Sequence, residues 1–161
     1  MPLEATQGQI VALGGGGFSM EPDNPLLDDF ILSLSQRQPA RVCFVMKGAV
    51  LCGVSAGMIC WFRGVVTDSI GALDALSDGL GLIDAAACPH YDGEEHRRPT
   101  YQRLIEEGFG AGYGADDGAA LHFRGTDLVE AVSSRLEASA YRVELVQGRV
   151  KETRLETRFL G

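Results

Sequence analysis

The chain has 161 residues, 45% hydrophobic and 22% charged, with a net charge of −8. That length predicts one domain, residues 1–161, with a sizeable core. The acidic balance argues against general nucleic-acid or anionic-membrane binding, which rewards clustered Lys and Arg.

The N-terminal segment ends in "QIVALGGGGF" (9–18), which reads as a buried strand running into a glycine turn. Next comes "NPLLDDFILSLS" (24–35), with apolar residues at helical spacing; Asn24 is the expected N-cap and Pro25 the first helical residue. "RVCFV" (41–45) is a second short buried strand. Only Met46 and Lys47 then precede "GAVLC" (48–52), which is also strand-like. Parallel neighbours need a crossover of about a dozen residues, so this seam does not fit a parallel sheet.

"GMICWF" (57–62) reads as the first turns of a buried helix. An apolar strand then ends at Cys88, ahead of Pro89 and His90. "RRPTYQRLIEEGF" (97–109) is an amphipathic helix with a glycine stop, and "GAGYGADDGAALHFRG" (110–125) a glycine-broken loop leading into the strand Ala119 to Phe123. The alternation around "VQGR" reads as a C-terminal hairpin at a sheet edge. The order predicts an α/β fold: a mostly parallel sheet sandwiched by helices.

No apolar run reaches the roughly 18–20 residues that span a bilayer, and the N-terminus, with Glu4 and no basic stretch, lacks the marks of a signal peptide. Cys43, Cys52, Cys60 and Cys88 lie in or beside apolar runs without a C-x-x-C pair. They read as buried free thiols of a cytoplasmic protein, not disulfides or a zinc site. "GGGGF" (14–18) lacks the G-K-[ST] of a phosphate loop. No cofactor or metal is expected.

"GVSAG" (53–57) places Ser55 at G-x-S-x-G spacing between a strand and a helix. Such a turn holds the serine in a strained conformation with Oγ exposed, the flanking glycines avoiding Cβ clashes. The Ala56 N–H then points into the same space and can meet an oxyanion, helped by the helix onset. The alternative is a close strand–helix packing turn. A hydroxyl nucleophile needs a base. His90 stands at a strand end, His96 among charges in "DGEEHRR", and His122 inside a strand, so His90 is preferred. The orienting acid stays open among Asp117, its neighbour Asp116, and Asp68 in "VVTDSIG".

Taken together, "VALGGGGF", "GVSAGMICW", "CPHYD" and "GADDGAALHF" resemble the dipeptidase E family of serine peptidases, which includes cyanophycinase. The resemblance runs along nearly the whole chain. It implies a fold related to class I glutamine amidotransferases, Ser55 as nucleophile and His90 as base. Asp117 falls where the family carries its triad acid, and Asp68 where relatives carry another acid near the site. The family also has further strand–helix units before its nucleophile strand, one of them bearing a Gly-rich oxyanion loop. Here they are absent between Val45 and Gly48.

Two functions are therefore expected. One is a cytoplasmic peptidase for short peptides; the other is a shortened, catalytically impaired member that serves as a peptide-binding or interaction scaffold. The missing segment would expose strand edges and favour a homodimer. An N-terminal Asp in the substrate would need a cation, for which Arg63, Arg97 and Arg98 are the nearest in sequence.

Overall fold

The computed structural model describes residues 8–17, 20–34, 50–69 and 71–161. The expected strand 41–45, Cys43 and the seam between Val45 and Gly48 lie outside these residues. Two mixed sheets make up the described fold, in place of the mostly parallel sheet expected. The first is built on β1 (Gln9–Leu13), whose neighbours are the parallel strand β2 (Val50–Val54) and the antiparallel β7 (Ala119–Arg124). Beyond β7 lie β8 (Asp127–Ser133) and β11 (Thr157–Phe159).

The second sheet carries a parallel core of β3 (Phe62–Thr67), β5 (Ile83–Cys88) and β6 (Gly112–Ala115). It is flanked by antiparallel β4 (Asp74–Leu76) on one side, and on the other by β9 (Ala140–Val146) with β10 (Arg149–Arg154). Connection length explains the mixture. The helix α3 (Arg97–Glu106) is long enough to bring β6 back parallel to β5. Only two residues separate β7 from β8, and two separate β9 from β10, so both pairs turn back on themselves. At the second turn Gln147 and Gly148 have φ of 51° and 74°, the positive values a two-residue hairpin demands.

β1 is apolar throughout because both of its faces are covered. Ile10 and Ala12 face the core between the sheets, which contains Met58, Phe62, Leu121 and Phe123. Val11 and Leu13 face outward onto Leu27 and Phe30 of α1 (Leu26–Ser33). α3 covers the other sheet with Tyr101, Leu104 and Ile105. Each fully buried side chain of this size contributes roughly 1.5–3 kcal/mol.

Several local expectations change. The helix after Ser55, α2 (Ala56–Ile59), is a single turn, and Phe62 already opens β3. The β-branched pair Val65–Val66 and the apolar Phe62 favour a strand packed between layers over a continued helix. Asn24 does not cap α1; its side-chain amide donates to the Ser134 carbonyl at 3.1 Å, and Pro25 takes the cap position. The expected loop 110–118 contains β6, whose glycines allow close approach: a Cβ on Gly114 would sit 2.8 Å from the Tyr91 ring. No helix among the described residues is long and apolar enough to cross a membrane.

Candidate active site

Ser55 stands at the carboxyl end of β2 with φ 56° and ψ −114°, a left-handed conformation that costs a non-glycine residue free energy. The surrounding backbone holds it there. Its N–H donates to the Leu13 carbonyl at 3.2 Å, and its own carbonyl accepts from Met58 and Ile59 at 2.9 and 3.1 Å. The two glycines of the motif are not equivalent. A Cβ on Gly53 would lie 2.2 Å from the Gly57 carbonyl oxygen, whereas a Cβ on Gly57 would meet open space. Glycine is thus required at 53, where strand and helix backbones touch. The Ala56 N–H has no acceptor among the described residues. One helical turn behind it leaves little macrodipole to assist.

His90 follows Pro89 at the end of β5, also with positive φ, 50°. Its Nε2 lies 2.8 Å from Ser55 Oγ, and its Nδ1 lies 2.6 Å from Asp117 Oδ1. The three expected residues are thereby brought into one hydrogen-bonded chain, with His90 and Asp117 side chains 13% and 25% exposed. Two glycines press on the carboxylate. A Cβ on Gly15 would lie 1.9 Å from Asp117 Oδ1, and one on Gly93 would lie 2.3 Å from Oδ2.

The glycine run after β1 ties these turns together. Three successive carbonyls, of Leu13, Gly14 and Gly15, accept the N–H groups of Ser55, His90 and Gly118 at 3.2, 3.2 and 3.0 Å. One extended segment therefore sets the relative positions of turns that come from both sheets. The reading of 14–17 as a simple turn missed this role, since only the tertiary contacts reveal it.

Other expected residues lie elsewhere. Asp68 pairs with the buried guanidinium of Arg97 at 3.2 Å, so of the acids considered only Asp117 bonds to His90. Asp116 points away, accepting from the Ser139 N–H at 2.9 Å, while its Oδ1 is buried without a partner among the described residues. Burial pushes its carboxyl up to about 6, against the Ser139 hydrogen bond that lowers it. His96 is exposed at the start of α3, and His122 is buried with its Nε2 2.9 Å from Gln9 Oε1.

Arg63 pairs with Asp84, Arg97 with Glu94 and Asp68, and Arg98 with Glu152. All three arginines considered for substrate binding are thus held by acids. The thiols are less uniformly buried than expected. Cys52 is exposed and Cys60 is half-buried. Cys88 is buried, and desolvation pushes it up to about 12. Among the described residues, no group of three His, Cys, Asp or Glu is placed to hold a metal ion.

A serine, an imidazole and a carboxylate so chained have the chemical capacity for nucleophilic acyl transfer. Comparison with known proteins gives a peptidase family. Residues 45–131 match peptidase family S51. "Uncharacterized peptidase YgaJ" of Bacillus subtilis (strain 168) is 35% identical over 229 residues, covering 95% of this chain and 99% of that protein. The chain belongs to peptidase family S51. The aligned stretch of 229 residues is longer than the 161-residue chain, so several dozen positions of that relative face no residue here.

Proposed function

We propose that the chain is a serine-type peptidase of the dipeptidase E kind, cleaving short peptides in the cytoplasm. The observation that carries this reading is the continuous contact from Ser55 Oγ through His90 to Asp117, at 2.8 and 2.6 Å. In this reading Ser55 Oγ attacks the scissile carbonyl while His90 Nε2 takes its proton. Asp117 accepts from His90 Nδ1–H and stabilises the imidazolium that forms. The Ala56 N–H meets the oxyanion. His90 then gives the proton to the leaving amine, and water hydrolyses the acyl-enzyme by the same route in reverse. The whole chain acts as one unit of glutamine amidotransferase-like fold.

One observation favours a second reading, an impaired member serving as a binding scaffold: several dozen positions of the relative have no counterpart here. Losing one oxyanion donor typically costs about 10²–10³ in rate. Labelling with a fluorophosphonate, followed by intact mass, separates the two. One added label that disappears in Ser55→Ala, together with hydrolysis of short peptides, supports the peptidase. A folded chain of 17.2 kDa that takes no label sinks it and leaves the scaffold.

A further inference from the structure

Asp117 presents its carboxylate to His90, but two other side chains grip its backbone. Asp92 Oδ1 accepts the Asp117 N–H at 2.8 Å. Arg135 Nε donates to the Asp117 carbonyl at 2.8 Å, and its Nη2 donates to the same oxygen. The grip is closed on itself, because Arg135 Nη2 also donates to Asp92 Oδ2 at 2.8 Å. Both polar groups of one peptide residue are therefore held by a mutually paired carboxylate and guanidinium.

The origin of the two side chains matters. Asp92 lies two residues beyond His90 in the same turn, so one short segment carries both the imidazole and an anchor for its carboxylate partner. Arg135 comes from the loop after β8, and it packs on the next residue of the acid's turn. A Cβ on Gly118 would lie 2.9 Å from Arg135 Nε. Gly15 and Gly93 also close on the carboxylate itself. The geometry points to Asp92 and Arg135 as a positioning pair that aims the Asp117 carboxylate at His90 Nδ1. This inference rests on the peptidase reading of Ser55, His90 and Asp117.

Stability and reactivity should part company in variants of the pair. Arg135 and Asp92 are 42% and 38% exposed, and exposed ion pairs contribute little to stability. Misplacing a reacting group by about 1 Å can cost roughly 10²-fold in rate. The experiment is fluorophosphonate labelling of the full chain, resolved into inhibitor affinity and maximal rate, for Asp92→Ala, Asp92→Asn, Arg135→Ala and Arg135→Lys.

The maximal rate is expected to fall by about 10- to 10²-fold in the alanine variants, with affinity and melting temperature unchanged. Arg135→Lys should recover part of the rate, because an ammonium reaches one partner but not both. A cation that merely binds ligand would instead weaken affinity. Alanine variants that melt and label like wild type would overturn the pairing. If they do not fold, Asp92→Asn decides, since it keeps an acceptor for the Asp117 N–H but sets an amide NH2 donor against Arg135 Nη2 where the carboxylate oxygen accepted; a wild-type rate there overturns the inference. A wild-type chain without Ser55-dependent labelling removes the peptidase reading itself, and this inference with it.

Discussion

Ser55 Oγ and His90 Nε2 lie 2.8 Å apart although both residues hold positive φ, 56° and 50°. Neither conformation is one that serine or histidine favours, and the fold maintains both at the point where the side chains meet. Ser55→Ala keeps the strained backbone, whereas Ser55→Gly relieves it. Both variants are expected to lose all labelling. Thermal melts should place Ser55→Gly no lower than Ser55→Ala and up to about 2 °C higher, because strain relief of about 1 kcal/mol is set against glycine's entropy cost of about 0.5–1 kcal/mol. A glycine variant that melts well below the alanine one would mean that the turn is not strained.

The acid is assigned by contact, so two substitutions should diverge. Asp117→Asn removes the negative charge facing His90 Nδ1 and is expected to lower the labelling rate by about 10²–10⁴-fold. Asp68→Asn touches only the Arg97 pair and should leave the rate within about twofold. Equal losses in the two variants would contradict the assignment.

The serine motif's glycines should respond unequally to alanine. Gly53→Ala drives a Cβ into the Gly57 carbonyl and is expected to destabilise the chain by about 2 kcal/mol or more. Gly57→Ala meets open space and gains helix propensity, so it should be neutral or stabilising by up to about 1 kcal/mol. Denaturant midpoints of the two variants check this.

Asp116 gives a pH dependence whose sign can be worked out. Its folded value of about 6 lies above the ordinary 3.8, so between these values the folded chain keeps a proton that the unfolded chain has released. Its contribution to stability is therefore full below about pH 4, falls as pH rises toward 6, and is flat above. Within that window the fall is at most about 1.4 kcal/mol for each pH step of one. Glu130 and Glu152, held low by Arg158 and Arg98 against their burial, act in the opposite direction, losing stability as pH falls. The difference curve between wild type and Asp116→Asn isolates the aspartate. A flat difference between pH 4 and 6 would show that its carboxyl titrates normally.

Much of the site could be read from local sequence because its parts are punctuated locally. A serine between glycines after an apolar run, and a histidine after Pro89 at a strand end, mark strand termini through backbone chemistry that the residues themselves dictate. The helices around residues 26–33 and 97–106 were legible for the same reason: their apolar spacing is a property of the segment alone. β6 was not legible, since its glycines look like a loop until the Tyr91 ring is packed against Gly114.

What tertiary structure decided is which distant groups meet. Asp117 and Asp68 are equivalent as residue types; only the packing of β6 beside β5 puts one on His90, while Arg97 takes the other. The carbonyls of Leu13, Gly14 and Gly15, and the grip of Asp92 and Arg135 on Asp117, leave no periodicity or motif in the chain. They are contacts between segments far apart in sequence, and such contacts exist only once two mixed sheets bring their strand ends to one place.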